Sequence, residues 1–155
     1  SKSIEFILHA INFLKKRKEL FDYLILLQPT SPLTTNEDID KALLKLHNKR
    51  NKADSIVGVS ENTHHHPSFN VKVNKFSFIK PLEKKFSNFR RQDLTKLYSY
   101  DGSIFISKID KLIEKKTFYH SRTLAFISKK WKSIDIDDIV DFIVAEALFK
   151  SKKKF

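Results

Sequence analysis

The stretch YLILLQPTSPLTT, residues 23–35, decides the fold, because an apolar run of strand length ends there in an unusual turn. A continuous apolar run is typical of a strand buried on both faces of a parallel sheet. A simple turn needs one proline or glycine, whereas Gln28 is followed by two prolines with two hydroxyl residues between them. Open α/β sheets bind ligands at the carboxyl ends of their strands, so we predict that Gln28 lies at the mouth of a pocket.

The residues on either side of this stretch predict helices alternating with strands. Apolar residues at helical spacing predict a helix over 4–14, and Thr35 with Asp38 three residues later is typical of another helix start. Strands are predicted at 54–59, 102–107, 122–127 and 131–136, and helices at 108–116 and 138–149. The last helix is expected to turn most of its apolar residues toward the sheet: Ile139, Phe142, Ile143, Ala145, Ala147 and Leu148. This alternation predicts an α/β fold, a mostly parallel sheet with crossover helices.

Residues 61–91 depart from that pattern. Their apolar residues alternate only weakly, and Asn74-Lys75 is a plausible hairpin tip. We therefore predict an antiparallel arm inserted into one domain that covers residues 1–155.

Composition restricts the class of protein. The chain has 155 residues, no cysteine and no apolar run long enough to span a bilayer, which indicates a soluble, cytoplasmic domain without disulfides. It has only two glycines, so a Gly-rich phosphate loop does not occur within it. The net charge of +12 is compatible with nucleic-acid binding, but the lysines are scattered at predicted helix ends. We interpret them as solvated surface charges and expect no nucleic-acid partner.

Asp135 and Asp137 are the strongest candidates for chemistry. On a strand they point to the same side, while Ile134 and Ile136 point to the core. Two neighbouring carboxylates form a hard oxygen site that suits Mg²⁺ together with phosphate oxygens. The alternative is that Asp137 or Asp138 simply caps the last helix, which leaves the outward-facing Asp135 unexplained.

Three other features are weaker signals. The run His64-His65-His66 diverges along an extended chain and has no zinc spacing, so an exposed loop is the better interpretation. Arg91 and Gln92 have the groups to bind a carboxylate or hydroxyl, although surface arginines are common. Phe118-Tyr119 is more often core packing than a ligand platform.

Taken together, LLQPTSPL, RQDLTKLY followed by DGSIFI, and WKSIDIDDIVDFIVAEAL resemble the acylneuraminate cytidylyltransferases, also called CMP-sialic acid synthetases. The resemblance covers nearly the whole chain. It implies a nucleotidyltransferase on a Rossmann-like fold that joins CTP to a nine-carbon 2-keto sugar acid and releases pyrophosphate. Mg²⁺ would be the cofactor, and the protein would mainly align the reactants and neutralise the triphosphate.

The resemblance also assigns roles to residues. It implies that Asp135 and Asp137 are catalytic metal ligands, and that the remaining matched positions bind substrate: Gln28, Arg91, Gln92, Phe105, Phe118 and Tyr119. It further implies that the inserted segment is a dimerisation arm, which predicts a homodimer. No membrane partner is expected.

Departures from the family pattern qualify this hypothesis. Thr34, Phe69 and Phe105 stand where the family usually has an arginine, a lysine and a tyrosine, which leaves the sugar undetermined. The family's triphosphate loop has no counterpart in residues 1–20, so the chain resembles roughly the C-terminal two-thirds of the family's length. The rival hypothesis is a truncated, inactive homologue that serves only as a dimerisation or interaction domain.

Overall fold

A computed structural model describes residues 2–62, 66–82 and 94–151 of the chain. In chain order, the helices and strands within these ranges are α1 (Lys2–Lys16), β1 (Tyr23–Leu26), α2 (Asn36–Asn48), β2 (Ser55–Glu61), β3 (Val71–Val73), β4 (Ile79–Pro81), β5 (Tyr98–Lys108), α3 (Ile109–Lys115), β6 (Thr123–Ile127) and α4 (Ile139–Lys150). Short 3₁₀ turns cover Pro67–Phe69 and Lys130–Lys132. The α/β class predicted from the sequence is confirmed. None of the helices in these ranges combines the length and apolar composition that a bilayer crossing demands.

The main sheet is mixed, so the predicted mostly parallel arrangement is wrong. Its strand order is β1-β5-β2-β6, and β5 runs antiparallel to both of its neighbours. Within the described sheet, β2 and β6 form the one parallel pair. β1 and β2, which α2 connects, run in the same direction, but β5 lies between them. Residue periodicity predicts where strands occur and carries no information on which strands become neighbours.

Helices cover both faces of this sheet because successive strand residues point to opposite sides. On one face Ile7 and Ile11 of α1 pack with Val57 of β2 and Phe105 of β5. On the other face Ala42 and Leu46 of α2 pack with Ile56, Ile104 and Ile106. Phe105, the predicted site residue on β5, therefore lies in the core.

A bulge interrupts the pairing of β5 with β2. Val57 pairs with Phe105 and Val59 pairs with Tyr100, so β5 has several extra residues opposite Gly58. Bulges redirect side chains and are common next to active sites. In this bulge Gly102 adopts a left-handed φ of 72°, a conformation that glycine reaches without steric cost.

Two predictions near the C-terminus are wrong. Residues 131–136 do not form a strand, because Lys130–Lys132 is a 3₁₀ turn and residues 133–136 have no regular structure. In α4 only Ala145 among the described residues is buried, while Ile139 is 70% exposed. Apolar residues occur all round α4, so their spacing does not define a single face, and α1, α2 and α3 already cover the sheet.

The arm prediction is confirmed as far as its hairpin. β3 and β4 pair antiparallel, and Asn74 Oδ1 accepts hydrogen bonds from the backbone of Phe76 at 2.9 Å and Phe78 at 3.0 Å. Residues 63–65 and 83–93, which include His64, Arg91 and Gln92, lie outside the described residues. Its role in dimerisation stays a prediction.

Candidate functional site

The loop after β1 carries Gln28 to the edge of a cavity, as the sequence predicts. β1 ends at Leu26, and the backbone N–H of Ser31 donates to the carbonyl of Gln28 at 3.1 Å, which closes the first turn. Pro29 and Pro32 restrict the same loop. The hydroxyls of Ser31 and Thr34 are buried and have no hydrogen-bond partner among the described residues. Unsatisfied buried polar groups are uncommon in folded proteins, so both hydroxyls have free hydrogen-bonding capacity in this loop.

A cavity of about 320 Å³ brings four of the predicted substrate residues together. Gln28, Phe105, Phe118 and Tyr119 line it, with Lys116 and Thr117 also contributing to its wall. It opens between the end of β1, the middle of β5 and the chain after α3. A cavity of this size, largely apolar with a few polar groups, is typical of small-ligand sites.

The aromatic side of the cavity is a connected set of rings. The ring centroids of Phe105 and Phe118 are 5.5 Å apart, and those of Phe105 and Tyr119 are 6.2 Å apart. Tyr100, which sequence reasoning missed, lies against Tyr119 with centroids separated by 4.6 Å. Burial, followed by the neighbouring Tyr100, raises the pKa of Tyr119 above its ordinary value. The Tyr119 hydroxyl therefore stays protonated at neutral pH.

Gly102 brings Gln28 and Asp135 side by side. A methyl group placed on Gly102 would lie 2.9 Å from Gln28 Oε1 and 3.1 Å from Asp135 Oδ2. Both oxygens therefore approach the same side of the glycine, and its missing side chain leaves room for them. Gln28 thus belongs to the cavity and to this oxygen pair. In the sequence, Gly102 stands out as one of only two glycines and as part of the motif DGSIFI.

Asp101 supports the bulge that positions Gly102. It is buried, and its Oδ1 accepts hydrogen bonds from the Ser103 backbone at 3.0 Å and the Ser103 hydroxyl at 2.6 Å. Gly58 lies opposite on β2, and a methyl group there would lie 2.3 Å from Asp101 Oδ1. Gly58 is therefore required for Asp101 to fit beneath the bulge.

The two predicted metal ligands differ in their surroundings. Asp135 Oδ1 is buried and has no hydrogen-bond partner among the described residues, whereas Asp137 is exposed. Helix α4 is capped by Asp138, whose Oδ1 accepts from Val140 at 2.7 Å and Asp141 at 3.1 Å. The capping alternative is thus correct for Asp138 and does not explain Asp135.

The donor set around Asp135 fits a magnesium ion. Carboxylate and amide oxygens are hard ligands, and the free Oδ1 of Asp135 requires a partner. In the described ranges, no three His, Cys, Asp or Glu side chains are grouped closely enough to enclose a metal ion. Mg²⁺ commonly binds through one or two carboxylates together with phosphate oxygens and water, so a full cage of protein ligands is not needed.

A larger cavity of about 480 Å³ lies between α1, β1 and α3 and includes none of the predicted site residues. Ile11, Leu14, Leu24 and Ile113 are among its mainly apolar walls. Its lining has few groups that bind or activate a substrate.

An α/β sheet flanked by helices defines a fold class and does not by itself identify a function. Sequence comparison is more specific, although no family model matches. The chain is 34% identical to an N-acylneuraminate cytidylyltransferase of Streptococcus agalactiae over 119 residues, which are 77% of this chain and 28% of that protein. It is 29% identical to an Escherichia coli protein of the same name over 155 residues, 99% of this chain and 35% of the relative. It is 32% identical over 133 residues to a CMP-N,N'-diacetyllegionaminic acid synthase of Legionella pneumophila, 84% of this chain and 55% of the relative.

The chain is therefore homologous to the N-acylneuraminate cytidylyltransferases and the related CMP-nonulosonate synthases. The aligned part spans about a third of the length of the Streptococcus agalactiae and Escherichia coli relatives and about half of the Legionella pneumophila relative.

Proposed function

We propose that this chain forms the sugar-side part of a cytidylyltransferase that activates a nonulosonic acid with CTP. The reaction joins the anomeric oxygen of the sugar to the α-phosphorus of CTP, and pyrophosphate leaves. The supporting observation is that Gln28 lines the aromatic cavity and also lies beside Asp135 at Gly102. Homology to enzymes named for this reaction gives the substrate class.

The candidate residues have distinct parts in this proposal. The rings of Phe105, Phe118 and Tyr119 would pack against the acylamino end of the sugar and exclude water from it. The Gln28 amide can donate to and accept from sugar or nucleotide groups, and so orient them. Arg91 and Gln92 are proposed to bind the sugar acid, with the arginine meeting its carboxylate.

Asp135 and Asp137 would hold Mg²⁺, which supplies positive charge at the phosphates and at the attacking oxygen. Asp135 has the buried free oxygen for this role, and the exposed Asp137 follows it by two residues. Most of the rate enhancement would then come from alignment and charge neutralisation.

Titration of the full chain with CTP, with and without Mg²⁺, tests the proposal. We expect magnesium-dependent binding in the wild type and its loss in Asp135→Asn, with the melting temperature retained. Asp110→Asn, an exposed aspartate on α3, is the control and should bind as the wild type does. Addition of N-acetylneuraminic or diacetyllegionaminic acid should then yield a CMP-sugar detectable by chromatography. Equal CTP binding by Asp135→Asn would contradict the metal assignment.

The homodimer is a second part of the proposal, and it is also the basis of the interaction-domain alternative. Four apolar side chains on the β3–β4 hairpin are largely exposed: Val73 (64%), Phe76 (68%), Phe78 (71%) and Ile79 (68%). Exposed apolar patches of this kind mark interaction surfaces. An inactive chain that still dimerises would favour the alternative function.

A further inference from the structure

The segment that carries Asp135 has no strand pairing of its own. Residues 133–136 lie between the 3₁₀ turn Lys130–Lys132 and the start of α4, outside the sheet. A catalytic carboxylate needs a fixed position, and irregular segments provide it only through specific contacts. Two contacts, one on each side of Asp135, hold this segment in position.

The first contact is a backbone hydrogen bond. Ile136 N–H donates to the Thr30 carbonyl at 2.9 Å, which joins the segment to the loop containing Gln28. The donor, Ile136, immediately follows Asp135 in the chain. The contact explains how the two segments meet, but a single hydrogen bond of this kind contributes only modestly to stability.

The second contact is a partly buried ion pair immediately before the segment. Lys132 Nζ donates to Asp38 Oδ2, and also to Thr35 Oγ1 at 3.0 Å. The side chains of Lys132 and Asp38 are only 13% and 16% exposed. The same Asp38 oxygen accepts from the Thr35 hydroxyl at 2.7 Å and the Thr35 N–H at 3.0 Å, so the ion pair is part of the N-terminal cap of α2.

We infer that Lys132 is a positioning residue that holds Asp135 in the site by attaching its segment to the N-terminus of α2. Lys132 lies three residues before Asp135 and Ile136 one residue after it, so the backbone around the carboxylate is fixed on both sides. The inference about the site rests on the proposed function, whereas the attachment itself does not. Both α2 and the Gln28 loop belong to one continuous stretch, so Asp135 and Gln28 are held by the same part of the chain.

The chemistry of the pair suits such a role. The pair is largely shielded from solvent, so removal of Lys132 would leave the Asp38 carboxylate with only its hydrogen bonds to Thr35. Such a shielded ion pair constrains the chain more than a fully exposed one does. Arginine can also bind a carboxylate, so Lys132→Arg preserves the charge while Lys132→Met removes it.

Hydrogen exchange on the full chain, without metal or nucleotide, tests the attachment. In Lys132→Met we expect the Ile136 amide to exchange faster by about tenfold or more, as local opening becomes easier. Amides of the sheet core, such as those of Ile56 and Ile106, should keep their protection. Lys132→Arg should restore protection of Ile136.

Lys111→Met is the matched control. Lys111 forms an ion pair with Glu114 at 2.7 Å on α3, where it is more exposed than Lys132, so its loss should leave Ile136 unchanged. Unchanged exchange of Ile136 in a folded Lys132→Met chain would overturn the inference. An equal loss of protection across the sheet would also overturn it, because Lys132 would then contribute to general stability only.

Titration with Mg²⁺ and CTP separates this inference from the proposed function. If the wild type binds, Lys132→Met should weaken the magnesium-dependent part and Lys132→Arg should recover it. If Lys132→Met opens locally at Ile136 but binds Mg²⁺ and CTP as the wild type does, the attachment does not position the site. If the wild type does not bind at all, the proposed function fails while the exchange experiment still decides the attachment.

Discussion

Gly102 is the residue on which the geometry of the site depends most directly. Its φ of 72° disfavours any side chain, and a methyl group there would crowd the oxygens of Gln28 and Asp135. At this scale one missing methyl group determines whether the Gln28 and Asp135 oxygens can lie together. The sequence shows the glycine but not what surrounds it.

Gly102→Ala should therefore damage both stability and binding. The left-handed backbone alone costs a non-glycine residue about 1–2 kcal/mol, and the added methyl group must displace Gln28 or Asp135. Urea denaturation and a titration with Mg²⁺ and CTP measure the two effects. Adding Gln28→Ala should recover part of the stability, since it removes one of the crowded atoms. A Gly102→Ala chain with wild-type stability would show that the site has no such constraint.

At the scale of elements, α4 shows how neighbouring aspartates differ in role. Asp138 accepts two backbone hydrogen bonds at the start of the helix, while Asp137 is exposed. Asp138→Ala should lower the free energy of unfolding by about 1 kcal/mol. Asp137→Ala is the matched control, and without metal it should change stability by less than about 0.5 kcal/mol. Equal effects of the two substitutions would contradict the assignment of the cap.

The β3–β4 hairpin gives the element-scale test of dimerisation. Phe78 on the hairpin and Phe6 on α1 are almost equally exposed, at 71% and 70%. If the hairpin forms the dimer interface, Phe78→Ser should shift the chain toward monomer because it removes buried apolar area from that interface. Phe6→Ser should not, although it removes the same side chain. Light scattering coupled to size-exclusion chromatography measures the mass, and a dimer unaffected by Phe78→Ser would place the interface elsewhere.

At the scale of the whole molecule, Asp54 joins three strands of the sheet. It is buried at the start of β2 and forms ion pairs with Lys108 of β5 at 2.9 Å and Arg122 before β6 at 2.7 Å. Burial alone would raise the pKa of the Asp54 carboxyl. Hydrogen bonds from Arg122 and Lys108 outweigh it and lower the pKa from 3.8 to about 2.

This shift predicts a loss of stability in acid. A carboxyl whose pKa is lowered by folding stabilises the folded chain above pH 4, and the contribution disappears as the pH falls from 4 toward 2. The contribution of Asp54 should be about 2 kcal/mol at neutral pH. Thermal unfolding of Asp54→Asn should show a lower melting temperature at pH 7 and a weaker dependence on pH between 4 and 2. Asp40→Asn, on the exposed side of α2, should keep the wild-type dependence.

Much of the local structure could be predicted because it depends on local physics. Thr35 and Asp38 form the predicted cap of α2, and the pattern around Asn74 forms the predicted hairpin. The exceptions have physical causes as well. Ile134 and Ile136 alternate with polar residues as strand residues do, yet they are half-buried in an irregular segment, and Ile136 N–H donates to the Thr30 loop and not to a strand.

By itself, the sequence determined the α/β class, most helix and strand positions and the identities of Gln28, Phe105, Phe118, Tyr119 and Asp135 as candidates. The class and the elements follow from residue spacing, whereas the roles of most candidate residues follow from the resemblance of their motifs to a known family. Only the tertiary structure decided the strand order, the meeting of Gln28 with Asp135 at Gly102, and the attachment of Lys132 to Asp38. Lys132 and Asp38 are 94 residues apart in the chain. Their contact exists because the folded sheet brings distant loops to one edge, and no local pattern encodes that proximity.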